Sequence, residues 1–171
     1  QNSSQTGGGI GTRSQSNTQI NNCLFINNSS THFGAGFYSH GSVDVIKNCT
    51  FSGNSTDGAD NDMQDGEVIY LSDNTNTIIN SIIYGNNNSN WSDIGLHSNG
   101  GGATVSYSLI QGGYSGTGNI DTNPLFTDAS AGDYSLQSGS PCINTGESSD
   151  GNDPDGTAPD MGYYSVSGCT D

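Results

Sequence analysis

The sequence predicts an all-β fold: a right-handed parallel β-helix, or solenoid, of about four coils with an irregular C-terminal capping segment. Two observations carry this prediction. The hydrophobic fraction is 29% of 171 residues, which is too small for a broad two-layer core but enough for a solenoid with a few inward side chains per coil. The chain also repeats itself at intervals that are typical of solenoids.

The repeat becomes visible when the chain is aligned with itself. The segments INNCLFINN (20–28), IKNCTFSGN (46–54), IINSIIYGN (78–86) and the more divergent VSYSLIQGG (105–113) superpose without gaps. One hydrophobic column, with steps of 26, 32 and 27 residues, comprises Phe25, Phe51, Ile83 and Ile110. A second column, with steps of 27, 32 and 27 residues, comprises Ile10, Phe37, Ile69 and Leu96. We therefore expect each repeat to form one coil.

Each repeat contains a short strand whose alternate residues face the interior. Cys23 and Phe25 share the same parity, so both are expected to point inward, while Leu24 between them points outward. The same alternation places Thr50 on the outer face of the next coil. The predicted core is therefore a stack of narrow rungs.

Asparagine recurs at the bends between these strands. It tolerates the left-handed backbone conformation that a sharp corner needs, and stacked asparagine side chains form hydrogen bonds along a solenoid. This pattern predicts a structural ladder at Asn22, Asn48 and Asn80. The next corner is marked in the same way by Asn28, Asn54 and Asn86.

Together these segments resemble a known group of proteins. The FINN and FSGN, GGGI and GAGF, and NCTF segments look like the right-handed parallel β-helix repeats of pectate-lyase-like proteins and of bacterial surface proteins such as chlamydial polymorphic outer-membrane proteins. The segments 123–146 and 153–165 resemble the closing part of large secreted β-helix proteins, which often carry a type IX sorting signal or another surface anchor downstream. The resemblance implies a fold and an extracellular location.

The domain prediction follows from the extent of the repeats. Residues 1–118 are expected to form the coils, and residues 119–171 a closing segment of the same domain. The first coil is expected to continue an upstream part of a longer precursor, or to be bound at that end by a partner, because its strand edges would otherwise be unpaired.

Two acidic clusters are candidate calcium sites, because calcium prefers six to eight oxygen ligands. The first lies in the insertion 55–65, which accounts for the long step of 32 residues, and the second lies in the tail; their members are Asp57, Asp60, Asp62, Asp65, Asp150, Asp153 and Asp155. The alternatives are a solvated loop for the first cluster and a turn over the last coil for the second. Any calcium would be structural.

Aromatic side chains on the predicted second column suggest a carbohydrate site. Tyr38, Tyr70 and His97 each follow a residue of that column, so they are expected on one outer face, with His40 in the neighbouring column. Exposed aromatic rings stack on the apolar face of sugars. The alternative is the ordinary exposed tyrosine of a β-strand.

The residues required for catalysis are sparse. A lyase of the pectate-lyase type needs a Lys or Arg base, and the chain has only Arg13 and Lys47, at different positions of the coil. Paired carboxylates on adjacent rungs, as a glycoside hydrolase needs, are not evident. We therefore expect a non-catalytic stalk, adhesin or glycan-binding segment. The alternative is a terminal fragment of a calcium-dependent polysaccharide lyase or another polysaccharide-active enzyme.

The four cysteines fall into two pairs. Cys23 and Cys49 stack on adjacent rungs, where either a disulfide or two buried thiols would fit, and we favour the thiols. Cys142 and Cys169 both lie in the tail, where a bridge would tie the end of the chain to the closing segment.

Charge limits the partners. With 17 acidic residues against two Lys and Arg, the net charge of −15 excludes nucleic acid and anionic membrane surfaces. No apolar run is long enough to insert into a membrane. The expected partners are carbohydrate or another surface or secretion protein, and the expected location is secreted or on the bacterial cell surface.

Overall fold

The chain passes through four parallel sheets in the same order, rung after rung. The computed structural model describes residues 2–56, 68–88, 93–97, 102–149 and 151–163. Each of the four sheets, which we call A to D in chain order, contains one strand from each of four rungs. The fold is therefore a parallel β-solenoid with about three turns between its first and last rungs.

The strands are short and evenly distributed over the rungs. The first rung contains β1 (Ser3–Thr6), β2 (Ile10–Arg13), β3 (Gln19–Asn21) and β4 (Leu24–Ile26). The second contains β5 (Ser29–Phe33), β6 (Phe37–His40), β7 (Val45–Lys47) and β8 (Thr50–Ser52). The third contains β9 (Ser55–Thr56), β10 (Ile69–Ser72), β11 (Thr75–Ile79) and β12 (Ile82–Ile83). The fourth contains β13 (Asn87–Asn88), β14 (Ile94–His97), β15 (Gly102–Ser106) and β16 (Leu109–Ile110).

The register of sheet D confirms the first predicted column. Phe25 pairs with Phe51, Phe51 with Ile83, and Ile83 with Ile110, so the long step of 32 residues is an insertion in the third rung. The rings of Phe25 and Phe51 lie parallel, with centroids 4.4 Å apart. All four side chains are buried in a narrow interior core.

The second predicted column is wrong in its last member. Ile10 pairs with Phe37 and Phe37 with Ile69, as expected, but Ile69 pairs with Ile94 and not with Leu96. A shift of two residues keeps the same parity along a strand, so hydrophobic alternation alone does not distinguish Ile94 from Leu96. Ile94 is buried, with 3% of its surface exposed.

The corners between sheets C and D use a left-handed backbone. Asn22, Asn48 and Asn80 have φ angles of 52°, 50° and 49°, and Tyr107 has the equivalent angle of 48° in the fourth rung. Asparagine adopts this conformation with less strain than most residues. The Asn48 side-chain oxygen is buried without a hydrogen-bond partner among the described residues, and the Asn80 side chain bonds to the backbone of Glu147 in the tail.

Hydrogen bonds between stacked asparagine side chains occur at the corner between sheets D and A. The side-chain oxygen of Asn54 accepts from the Nδ2 of Asn28 at 3.1 Å, and the Nδ2 of Asn54 donates to Asn86 at the same distance. The side-chain oxygen of Asn54 also accepts the backbone N–H of Asn28, and that of Asn86 accepts the backbone N–H of Asn54, both at 3.0 Å. We call Asn28, Asn54 and Asn86 the asparagine ladder.

Two further corners repeat this side-chain-to-backbone pattern with other residue types. Between sheets B and C, Asp44 accepts the backbone N–H of Thr18 and Asn76 accepts that of Asp44, both at 2.8 Å. We call these three residues the aspartate ladder.

Between sheets C and D, each hydroxyl or amide oxygen accepts the backbone N–H of the rung before it. Ser81 accepts from Cys49 at 3.2 Å, Ser108 accepts from Ser81 at 3.1 Å, and Asn119 accepts from Ser108 at 3.1 Å. We call this run the serine ladder. Its last member lies beyond the fourth rung, so the start of the tail continues the solenoid.

The tail then turns back along the outer face of sheet D. It contains β17 (Phe126–Asp128), a 3₁₀ turn (Ala129–Ala131) and β18 (Asp133–Leu136), which pairs with β17 in an antiparallel hairpin. A second core forms between the solenoid and the tail from Ile82, Leu109, Cys142 and Met161.

This path extends further than the expected closure over the last coil. The backbone N–H of Tyr163 donates to the hydroxyl of Thr50 in the second rung at 2.9 Å. Thr50 points outward as predicted, yet it is buried because the tail covers it, whereas Leu24 in the first rung is 38% exposed. Within the described residues, no helix is long and apolar enough to span a membrane.

Candidate functional site

The tyrosines of the predicted carbohydrate face lie on the outer face of sheet B, but they are not exposed. Tyr38 and Tyr70 pair in register, and their rings stack with centroids 4.9 Å apart and planes within 10°. The guanidinium of Arg13 lies 5.1 Å from the centre of the Tyr38 ring, and Phe33 packs against Tyr70 at 4.7 Å. Only 7% and 9% of the two tyrosine surfaces remain exposed.

The expectation of exposed rings at this face is therefore wrong. The tyrosine rings contact their neighbours by aromatic stacking and by a cation–π interaction, both of which are favourable. The pair therefore holds adjacent rungs together. The sequence indicated the pairing of Tyr38 with Tyr70 correctly but could not show that Arg13 and Phe33 would cover them.

The predicted companions of the tyrosines lie one column further along sheet B. His97 is in register with Ser72, and Ser72 with His40, so His97 does not belong to the tyrosine column. Gly95 takes its place beside Tyr70. The Nε2 of His40 lies 3.2 Å from a carboxylate oxygen of Asp73, and about half of the His40 side chain is exposed.

The two described members of the predicted tail cluster, Asp153 and Asp155, accept hydrogen bonds from nearby residues of the tail. Asp155 accepts from the backbone and the hydroxyl of Thr157, and the hydroxyl bond holds the pKa of the Asp155 carboxyl below its ordinary value. Asp153 accepts the backbone N–H of Asp160, whose own pKa is raised by burial.

Five of the seven proposed calcium ligands belong to parts of the chain that the structure does not describe. Asp57, Asp60, Asp62, Asp65 and Asp150 lie outside the described residues. Among the residues that are described, no three His, Cys, Asp or Glu side chains form a group that could hold a metal ion.

Cys23 and Cys49 carry free thiols. Cys49 is fully buried, and burial raises its pKa to about 12, while Cys23 on the rung before it is half-buried. Burial also raises the pKa of Cys142 to about 12, and its predicted partner Cys169 lies outside the described residues. The bridge between Cys142 and Cys169 stays a prediction.

A cavity of about 470 Å³ lies along sheet A, where the sequence suggested no site. Its described lining comes from all four strands of that sheet: residues 3–5, 29–31, 55–56 and Asn87. All of these side chains carry a hydroxyl or an amide, and none carries a charge or an aromatic ring. We call this feature the hydroxyl cavity.

Two lining residues of the hydroxyl cavity are buried without a partner. Ser30 and Thr56 are in register and are only 3% and 4% exposed, yet neither hydroxyl has a hydrogen-bond partner among the described residues. A buried hydroxyl without a hydrogen bond costs about 1–3 kcal/mol. Both oxygens are inaccessible to solvent, so they do not face the open part of the cavity.

A sequence signal for this cavity exists but is weak. Hydroxyl pairs follow directly after two residues of the asparagine ladder, as Ser29 and Ser30 after Asn28 and as Ser55 and Thr56 after Asn54. The tyrosine column was more conspicuous, because an aromatic residue on a strand is rarer than serine in a chain of this composition.

A second cleft, of about 380 Å³, lies between the solenoid and the tail hairpin. Tyr84 and Phe126 contribute half-buried rings, and Asn123 and Gln137 contribute amides. The amide nitrogen of Gln137 donates to the backbone of Phe126, and the amide oxygen of Asn123 accepts from Leu125. These amides therefore shape the tail around the cleft.

Comparison with known proteins adds no assignment, since no protein-family model, curated protein or solved structure matches the chain. The parallel solenoid itself is established by the strand register and the stacked core.

Proposed function

We propose that this chain is a non-catalytic stalk segment of a secreted or cell-surface protein, of the bacterial type that its repeats and closing segment resemble. One observation carries the proposal: hydrogen-bonded ladders connect successive rungs at three corners of the coil. A solenoid is held together by contacts between neighbouring repeats, so bonds that recur at every step stiffen it along its axis.

The asparagine ladder illustrates why such a rod resists extension. Asn54 is fully buried and bonds both to the rung before it and to the rung after it. Separating the rungs would break these bonds and the ladder of backbone hydrogen bonds at the same step. The aspartate ladder and the serine ladder add the same constraint at other corners of the coil.

Charge and thiol chemistry fit an extracellular location. A net charge of −15 supports solubility without attracting nucleic acid. Cys49 has a pKa of about 12 because it is buried, so it stays an unreactive thiol in an oxidising environment. It requires no disulfide partner there.

Single-molecule pulling of the whole chain from its two ends tests the stalk. We expect one cooperative unfolding event, with a lower force for Asn54→Ala than for wild type. The matched control is Asn17→Ala, an exposed asparagine outside the ladders, which should leave the force unchanged. Rung-by-rung unravelling at low force, unaffected by Asn54→Ala, would contradict the proposal.

The enzymatic alternative is tested separately. A polysaccharide lyase produces a new double bond that absorbs in the ultraviolet, so acidic glycans incubated with the protein and calcium should show no rise in absorbance. A chelator should also leave the melting temperature unchanged if the acidic loops are solvated, whereas a fall would assign a structural calcium ion to the chain.

A further inference from the structure

We propose that the cleft between the outer face of sheet D and the hairpin of β17 and β18 binds a neutral sugar. We call this feature the tail cleft. The proposal goes beyond the stalk role and does not depend on it. It rests on the place and size of the cleft, on two aromatic rings in its wall, and on uncharged polar groups with hydrogen-bonding capacity to spare.

The tail cleft forms where two distant parts of the chain meet. Ser52 ends β8 and Tyr84 directly follows β12, while Phe126 begins β17 in the tail. The volume of about 380 Å³ lies near the lower end of the range of about 300–1,000 Å³ that is usual for ligand pockets. One or two sugar units therefore match the cleft better than a long chain does.

Tyr84 and Phe126 supply the apolar part of the wall. Both pack against the second core and yet stay half-buried, so part of each residue remains open to the cleft. The ring of Phe126 is held at 78° to the ring of Tyr134, with centroids 5.1 Å apart. Rings that are fixed before a ligand arrives lose little freedom when they cover the apolar face of a sugar.

Two amides in the wall keep hydrogen-bonding groups free. Gln137 donates its amide nitrogen to the backbone of Phe126, and its amide oxygen has no partner among the described residues. Asn123 accepts the N–H of Leu125, and its amide nitrogen has no partner there either. A sugar hydroxyl both donates and accepts, so it complements the free oxygen of one amide and the free nitrogen of the other.

The hydroxyl of Ser52 adds a third polar group. Ser52 has the same outward parity as Thr50, which the tail covers, so its side chain points away from the interior core. A Cβ on Gly85 would lie 3.4 Å from this hydroxyl, and Gly85 also lines the cleft. Because glycine has no side chain, the hydroxyl stays uncovered on that side.

The wall selects a neutral polar ligand. No charged side chain lines the tail cleft within the described part of the chain, so neither a uronate nor an amine would find a counter-charge. The net charge of −15 disfavours an anion further. An apolar ligand would displace water from the amides without replacing its hydrogen bonds.

Nuclear magnetic resonance titration of the whole chain with neutral disaccharides tests the proposal. The probes are cellobiose, xylobiose, mannobiose and maltose, and digalacturonate is the charged counterpart. We expect at least one neutral probe to shift the backbone amide signals of Gly85 and Phe126, and digalacturonate to bind more weakly.

Two variants remove one contact each. Ser52→Ala should weaken binding by about threefold to tenfold, because it removes one hydrogen bond to the sugar. Its melting temperature should hardly change, since this hydroxyl has no partner among the described residues. Tyr84→Leu keeps an apolar side chain but removes the ring, and it should also weaken binding by about threefold to tenfold.

Each variant has a matched control outside the lining of the tail cleft. Ser42→Ala also removes a serine hydroxyl that has no partner among the described residues. Tyr163→Leu also removes the ring of a half-buried tyrosine. Both controls should bind the sugar as the wild type does.

Four results would overturn the proposal: no neutral probe binds, the shifted signals belong to sheet A or sheet B, Ser52→Ala and Tyr84→Leu bind as tightly as wild type, or digalacturonate binds best. The pulling experiment measures the ladders and not the tail cleft. Failure here therefore leaves the stalk proposal standing, and failure there leaves this one standing.

Discussion

Asn54 and Asn28 form the first step of the asparagine ladder, in which the amide oxygen of Asn54 accepts both the side-chain and the backbone N–H of Asn28. The amide nitrogen of Asn54 donates in turn to the carbonyl of Phe25 at 2.7 Å and to Asn86. Both ends of a fully buried amide are thus satisfied. Asparagine suits this position because it donates and accepts on the same side chain.

The first prediction concerns this residue. Asn54→Ala should lower the free energy of unfolding by about 3 kcal/mol or more, because it leaves several buried groups without partners. Asn54→Asp keeps the shape but presents acceptors to the carbonyl of Phe25 and the oxygen of Asn86, so it should also destabilise strongly. Urea denaturation measures both. The exposed Asn17→Ala should change the stability by less than about 0.5 kcal/mol.

The second prediction concerns the buried carboxylate of Asp44. It accepts from the hydroxyls of Thr12 at 2.6 Å and Ser39 at 2.7 Å as well as from the backbone of Thr18, and it is fully buried. Asp44→Ala should cost about 3 kcal/mol or more, since three donors lose their acceptor.

Asp44→Asn should cost less than Asp44→Ala, because its oxygen still accepts from Thr18 and the two hydroxyls can rotate to accept from its amide. Asparagine already occupies the next step of this ladder at position 76. The two denaturation midpoints give the comparison directly. Equal losses for the two variants would show that the charge, and not the hydrogen-bond geometry, stabilises this corner.

The sequence predicted the fold best where residue type, spacing and strand parity all repeat from rung to rung. Phe25 and Phe51 repeat in type, spacing and parity, so their column could be identified from the sequence alone. Ile94 could not be distinguished from Leu96, because both have inward parity. The connection that follows this strand is longer in the fourth rung, so the next strands are again in register.

The functional surfaces were harder to predict because exposure depends on residues far along the chain. Tyr38 has outward parity, but its cover comes from Arg13 and Tyr70 on neighbouring rungs. Thr50 also points outward, and a segment more than one hundred residues later buries it. The partnerless state of Ser30 is likewise a property of packing that no local pattern encodes.

The third prediction uses the raised pKa of Cys49. Burial lifts this pKa from the ordinary 9.0 to about 12, so the unfolded chain ionises at lower pH than the folded chain does. The stabilising contribution is fully present below pH 9.0 and is lost progressively as the pH rises toward 12. Stability measured by denaturation should therefore fall over this range.

Cys49→Ser should flatten this alkaline loss, because serine does not ionise there. Serine is structurally compatible, since Ser81 and Ser108 occupy the same ladder in the next two rungs. Parallel curves for the two proteins between pH 8 and about 11 would contradict the prediction. In the folded wild type, a thiol reagent should modify Cys49 only as fast as the protein opens.

The last prediction tests the packing of the tail on sheet D. Gly162 has a φ of 93°, and a Cβ there would lie 2.6 Å from a side-chain carbon of Ile82 and 2.9 Å from the hydroxyl of Thr50. Gly156 has a similar φ of 88°, but a Cβ there would meet nothing within 4 Å. Both Gly→Ala variants carry the backbone strain, and only Gly162→Ala adds a clash.

Gly162→Ala should therefore destabilise the protein by about 1–3 kcal/mol more than Gly156→Ala, the usual cost of overpacking a buried contact. Proteolysis under native conditions should also cleave the tail of Gly162→Ala first, since the tail must move away from Thr50 and Ile82 to admit the methyl group. Equal stability and equal cleavage of the two variants would mean that the tail does not pack against these two rungs in solution.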